Sequence, residues 1–426
     1  MRNTLKGLAV TASAVALLAA TTPDRLSAAG FGIYEQSAKA SGLAGAWVAR
    51  ADDAAANWYN PAALVWLEGS ELQFGTNIIN TGDSELTSSD PNFGLFQPTT
   101  FEQESNLATP SHLYYRRKLN DNIAFGLGVT TPFGLVTEWA DRPVTFSAAK
   151  SELATFFINP NVAFRMTESW SLAVGVNYVL ADLANFSREV PIDLDGNPLN
   201  GFEVIGFSNL TGDGEDFGWN LALHHKKGPF SFGINYRSAI TVGIDGNIDF
   251  ENFGPLAGFF QSSPGTADLE LPQSIAIGFA WQGSTWGFEI DAVQVEWSVF
   301  DVLAVDIDNN VPGFVDDIAL LEDWDDSNSY RLGIWRKLGQ RGELRFGLNL
   351  EEGAVPEETL RPSIPDSDRV APSIGYGFSG NKWNVDLYAQ TFIFDDITAV
   401  GDEEGVIVAD YDSGVTLLGI TLGRKF

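Results

Sequence analysis

Three histidines and no cysteine limit the chemistry open to this 426-residue chain. With Cys at 0, thiolate nucleophiles, thiolate metal sites and disulfides are excluded together. The imidazoles are His112, His224 and His225. His224 and His225 are neighbours in a segment that alternates like a strand, so their rings point to opposite faces. No serine stands in a motif near any of them, and a serine–histidine site needs nucleophile and base within hydrogen-bond reach. Asp306, Asp308 and Asn310 begin like a calcium loop, but Val311 stands where that loop needs Gly. No enzyme, cofactor or metal centre is therefore expected. What remains is a set of charges on one face of alternating segments: Arg237, Arg331, Arg345, Glu289, Asp291, Glu296 and Asp386. Such groups cannot face hydrocarbon cheaply. They belong in a polar interior, as a bracing ion-pair network or as contacts to a substrate head group.

The elements that hold them follow a strict rhythm. Short polar breaks fall at 119–122, 166–169, 227–229, 282–284, 338–342 and 379–381. Long acidic breaks cover roughly 81–107, 138–149, 187–215, 247–267, 302–325, 352–369 and 395–413. Short and long alternate throughout, and thirteen connections join fourteen strands. Tight turns at one rim and long loops at the other mark an outer-membrane β-barrel. Trp170, Leu172, Val174, Val176, Tyr178 and Leu180 form one face of a segment; Ser171, Ala173, Gly175 and Asn177 form the other. Over 286–299 the phase slips. Trp286, Phe288, Ile290 and Ala292 point one way, then Val293, Val295 and Trp297 take over, which predicts a β-bulge near Ala292. The expected fold is all-β: a 14-stranded antiparallel transmembrane β-barrel over 70–426.

The ends and the composition agree. Arg2 and Lys6, the apolar run 8–20 and the small residues Ser27-Ala28-Ala29 make residues 1–29 an export signal, too short to span a bilayer. The mature chain then starts at Gly30, or at Ala29. The final strand carries Leu418, Ile420 and Leu422 on one face and ends on Phe426, an ending that resembles the signal read by barrel-assembly machinery. The 30 Phe, 12 Trp and 10 Tyr suit two interfacial girdles. Net charge is -31, and removing Arg2, Lys6, Arg25 and Asp24 with the signal takes it to about -33. Nucleic acid is excluded as a partner. The acid lies in the long loops, as a solvated outer rim or as carboxylates that bridge through divalent cations to anionic outer-leaflet lipopolysaccharide.

Residues 30–69 do not alternate. They are rich in Ala and Gly and contain helix starts: Asp52-Asp53 before an alanine run, and Asn60-Pro61-Ala62, with Asn as N-cap and Pro first in the helix. A compact segment before the first strand has one natural home, inside the barrel, as a small helical hatch. Strand three runs through Ile123, Phe125, Leu127, Val129, Thr131 and Phe133 on one face and meets the break Pro132-Phe133-Gly134. Pro cannot donate to a ladder and Gly weakens it. This spot is a bulge near the rim or a hole in the wall facing lipid.

In this order and spacing the residues resemble the FadL family of outer-membrane long-chain fatty-acid and hydrocarbon transporters of Gram-negative bacteria. The matching segments are Ala29-Gly30-Phe31, Ala51-Asp52-Asp53-Ala54, Asn60-Pro61-Ala62, Phe133-Gly134-Leu135, Phe217-Gly218-Trp219-Asn220, Tyr236-Arg237-Ser238, Leu271-Pro272 and 363–369. The resemblance implies a monomer plugged by the hatch and a lateral opening at the kinked third strand. It also implies passive uptake of a hydrophobic compound, long-chain fatty acids first among them. Substrate would pass from an outer apolar groove to a pocket near the mature N-terminus, at Gly30 and Phe31. The third long loop, 187–215, departs from the best-known members, being short and acidic with no helical pair. The fourth keeps Phe253, Leu256, Phe259 and Phe260, an apolar cluster where an exposed loop should be polar. These residues either capture substrate or fold back to cap the lumen. A general diffusion porin would need an open lumen, which 30–69 oppose. An adhesive barrel explains the acidic loops but neither the hatch nor the Pro-Phe-Gly break.

Overall fold

The computed structural model describes residues 30–426 except 82–83, 92–94, 194–201, 310, 312–314 and 402. The expected export signal lies outside the described residues, as does Asn310. Fourteen antiparallel staves close into a barrel. In chain order β1 is Ser70–Asn80, β2 is Leu107–Ala108 with Ser111–Asn120, and β3 is Ile123–Thr130 with Gly134–Glu138. Next come β4 Lys150–Arg165, β5 Trp170–Ile192 and β6 Val204–Lys227. Stave β7 is Phe230–Arg237 with Ile240–Glu251, and β8 is Ser263–Leu271 with Ser274–Gln282. Stave β9 is Trp286–Val295 with Val302–Ile307, and β10 is Ile318–Leu321 with Ser327–Leu338. The last four are β11 Gly342–Glu351, β12 Arg369–Ser379, β13 Trp383–Phe394 and β14 Gly414–Lys425. The barrel closes where β1 meets β14, with Phe74 opposite Leu422. At the outer rim, Glu85–Ser88, Thr99–Glu102, Ile397–Ala399 and Ala409–Asp412 form a separate four-stranded sheet.

The period of two explains the wall. Phe74, Ile78, Val174, Val176, Leu221 and Ile277 are exposed on the outer face, as lipid contact requires. Trp170, Phe230, Trp286 and Trp383 ring the short-turn end, and Phe217, Trp219 and Tyr330 the other. The alternate residues, such as Asn161, Asn177, Asn220, Glu289, Arg345 and Asp386, are buried inside.

Three sequence expectations change. The loop expected at 187–215 is mostly sheet: β5 has 23 residues and β6 has 24, so each reaches about 75 Å at 3.3 Å per residue, far beyond the membrane. Likewise 302–307 and 318–321 are strand, not loop. The raised wall stays extended because its inner face is still buried, against Val204, Ile248, Val305 and Ile307. There is no bulge at Ala292; the β8–β9 register runs unbroken from Ser274↔Val295 to Gln282↔Gly287. Val293 and Val295 keep their parity and point inward, because the lumen is apolar at that height. Finally, Phe133 does not continue the outer face of β3. It is buried, since the break at 131–133 turns it into the lumen.

Inside the barrel lie Ala38–Ser41 (α1), Ala56–Tyr59 (α2) and a 3-10 turn, Pro61–Trp66. The expected cap forms at Asn60, whose Oδ1 accepts from the Ala62 amide at 3.1 Å. Asp52-Asp53 does not cap α2, which has Ala55 at its N-cap and no side-chain cap; Asp53 Oδ1 accepts from the Ala55 amide at 3.0 Å, just ahead of the helix. Asn60 does more than cap: its Nδ2 donates to Val48 O at 2.9 Å and to Leu223 O of β6 at 3.1 Å. Asn60→Ala is expected to cost about 1 kcal/mol for the cap and about 1 kcal/mol more for the buried Val48 carbonyl. Amide hydrogen exchange across residues 48–66 should speed up while the wall strands stay protected; unchanged exchange would reject the anchoring role.

Candidate functional site

The break in β3 makes a window in the wall. Below it, β2 and β3 pair up to Leu113↔Val129. Above it, Gly134–Glu138 pairs with β4 alone, and the outer tip of β2, Leu107–Ala108, pairs with β1. The Gln103↔Trp139 bridge closes the top. The start of the luminal segment fills the gap in the ladder. Ile33 N donates to Pro132 O at 2.7 Å, and Gly134 N to Phe31 O at 3.0 Å. Gln36 Nε2 donates to Thr131 O at 3.0 Å, and its Oε1 accepts from Thr131 N at 3.3 Å. Pro132, Phe133 and Gly134 thus keep satisfied backbone groups only through their plug and β4 partners, as a membrane-embedded edge demands.

Two apolar cavities meet at this place. The outer one, about 410 Å³, sits within the raised wall and is lined by residues such as Leu153, Ile244, Leu269 and Phe300. Its cationic neighbours are paired: Lys150 with Glu152, Arg188 with Glu404, Arg361 with Glu322. The second, about 560 Å³, opens at the window and is lined by Gly30, Phe31, Ile33, Leu107 and Gly134 among others. Phe31 lines both. Its ring lies 4.7 Å from Trp297, 5.8 Å from Phe300, 5.9 Å from Trp324 and 6.0 Å from Phe133. Leu135, Leu153 and Ile364 line both as well, so Phe31 and these three side chains stand between the two spaces. The Gly30 nitrogen donates to Asp366 Oδ2 at 3.0 Å, in the loop between β11 and β12, and Ala354 N donates to the same oxygen at 3.2 Å. Burial pushes the Asp366 carboxyl up to about 6, against the pull of Arg369 and those two amides.

The fourth-loop aromatics divide. Phe260 lines the outer cavity. Phe253 stacks behind it at 3.8 Å, packed over Gly206, where an added Cβ would clash with the ring. Leu256 is half-buried against the same cluster, and Phe259 is 45% exposed. Asn60, Pro61 and Ala62 lie against the inner wall, away from both cavities. Sequence reasoning missed Phe300 and Trp324, and took Trp297 for a change of strand face. The usable signal was an apolar run on the inward parity of β9. Among the described residues no cluster of potential ligands could hold a metal.

A family model described as "Outer membrane protein transport protein (OMPP1/FadL/TodX)" matches residues 17–426. The chain is 26% identical to the long-chain fatty acid transport protein of Escherichia coli O6:H1, over 87% of this chain and 88% of that one. It is 29% identical to a 47 kDa outer membrane protein of Pasteurella multocida, over 87% and 88%. Among solved structures it resembles a FadL homologue of Pseudomonas aeruginosa, with TM-score 0.80, 17% identity, and 93% of this chain and 100% of that one covered. The toluene transporter TodX of P. putida gives TM-score 0.70 at 16% identity, covering 94% and 99%. With a closed barrel, an apolar outer belt and a match over nearly its whole length, the chain belongs to the OMPP1/FadL/TodX family of outer-membrane transport proteins.

Proposed function

We propose that the chain carries hydrophobic compounds, long-chain fatty acids first among them, passively across the outer leaflet and releases them sideways through the window in β3. The observation that carries this reading is the position of Phe31, which lines the outer cavity and the window cavity alike. An acyl chain leaving water gains about 0.8 kcal/mol per buried CH₂, so an apolar cavity among the outer loops concentrates it without an energy source. From there the path to the bilayer is blocked by Phe31 and the backbone segment that bears it, together with Leu135, Leu153 and Ile364. Displacing 30–33 joins the two cavities and opens the gap between β2 and the outer half of β3. Phe260, at the wall of the outer cavity, contacts the captured chain, while Phe253 and Leu256 support it from behind.

Growth of a deletion strain on oleate, complemented by the wild type or by Gly134→Arg, tests the route. A Cβ at Gly134 would already stand 3.0 Å from Ile33 Cδ1, so an arginine there fills the window. Wild type should restore growth, and Gly134→Arg should cut uptake at least about tenfold with folded barrel present in the membrane. Equal uptake by both would reject the lateral route. Rescue by neither, with alkane or toluene uptake intact, would keep the route and change the substrate.

A further inference from the structure

Although the chain carries -31 overall, one part of its surface is cationic. Around the short turns that join β9 to β14 stand Arg336, Lys337, Arg341, Lys382, Arg424 and Lys425. All are exposed except Lys337, which is half-buried. Lys425 N donates to Lys382 O at 2.8 Å, and Ser379 N to Arg341 O at 2.8 Å, so these turns are laced side by side. No exposed Asp or Glu stands among the described residues 279–286, 336–344, 376–385 and 422–426. Glu343 lies there too, but it faces inward to Arg50 and Arg345. Among the described residues none of the six cations is in an ion pair. The turns after β2 and β4 differ, because they carry the exposed acids Asp121 and Glu168, and Lys118 pairs with Glu68 and Asp121.

Two of the six do not point at periplasmic water. Arg336 continues the exposed face of β10 that holds Leu332 and Ile334. Arg424 continues the exposed face of β14 that holds Leu418, Ile420 and Leu422. Both therefore take the lipid-facing parity, at the end of an apolar stripe. Each lies on the aromatic girdle: Arg336 is 5.1 Å from the Trp286 ring, and Arg424 is 5.2 Å from Trp383 and 5.0 Å from Phe426. That girdle marks the level of the lipid head groups. The short turns of such barrels face the periplasm, so the head groups met here are those of the inner, phospholipid leaflet. Like charges this close repel unless a counter-charge arrives, and a guanidinium pairs well with a phosphate.

We propose that this sector of the rim binds anionic phospholipid of the inner leaflet, a phosphodiester with net negative charge. Arg336 and Arg424 hold phosphates from the membrane side, and Lys337, Arg341, Lys382 and Lys425 add positive field from the turns. The acyl tails lie on the exposed apolar faces of β10 to β14, among Ile334, Phe346, Ile374 and Ile420. A zwitterionic phospholipid offers the same tails but brings its own cation, so it leaves the patch uncompensated. The inference is independent of which compound the barrel carries.

Native mass spectrometry of the full barrel in uncharged detergent, titrated with dioleoylphosphatidylglycerol or dioleoylphosphatidylcholine, tests it. The anionic lipid should bind at least about tenfold tighter, and 0.5 M NaCl in a parallel detergent-phase binding assay should narrow the gap. Arg336→Gln and Arg424→Gln should each weaken the anionic lipid about fivefold and leave the zwitterionic one unchanged. Arg142→Gln, at the outer rim, should change neither. Glycerol phosphate in about hundredfold excess should leave the lipid bound, because it lacks the apolar contact of the tails. Heat-modified gel migration verifies folding; if one variant fails to fold, the other and the wild-type comparison still decide. Equal affinity for the two lipids in the wild type, or undiminished binding in both variants, would overturn the proposal. Displacement by glycerol phosphate would overturn the lipid and leave a plain anion site.

Discussion

The structure depends on how the wall holds its plug. Glu289 and Asp291 point inward from β9 and accept four consecutive amides, Trp47 through Arg50, at 2.5–3.0 Å. A fourteen-strand lumen is too wide to be filled by wall side chains alone. A filler made of helical turns brings unpaired amide groups with it. Two inward carboxylates supply their acceptors in a place that water would otherwise have to serve. The network continues from Arg50 to Glu343, Arg345 and Asp386, so plug and wall share one set of charges. Removing either side would leave buried charge on the other, and breaking such pairs typically costs about 3–5 kcal/mol.

With the plug fixed at its middle, its start can reach the break in β3. Pro132 has no amide hydrogen to give the ladder, and a lipid-facing edge tolerates no unpaired backbone. Phe31–Ile33 meets that need by lending one carbonyl and one amide to the broken strand. The same short segment carries Phe31, which lines the outer cavity and the window cavity alike. The closure of the wall and the position of that ring both follow from where a few residues of backbone lie.

Much of this was legible in the residues. The six tight turns fall at the six short breaks to within one residue, and the inward charges Arg237, Arg345, Glu289 and Asp386 are buried as their parity demands. Asn60 caps the turn that Pro61 begins. Legibility failed where the lumen ceases to be polar. Val293 and Val295 looked like a change of face because alternation assumes a wet interior and an oily exterior, and above the plug both sides are apolar. For the same reason the acidic 187–215 looked like loop. Yet Val190, Ile192, Val204 and Leu210 on the inner side of that ribbon pack with Phe253 and Phe260.

Sequence alone determined the barrel, its strand number, its orientation of turns and the presence of a filler. These follow from period, turn chemistry and cap chemistry, which act between neighbours in the chain. Only the tertiary structure decided which side chains share a space. Phe31 meets Trp297, Phe300 and Trp324 across some 270–290 positions, and Gly30 meets Asp366. Such meetings are set by how the closed sheet curls round its plug, and no local pattern encodes that curvature.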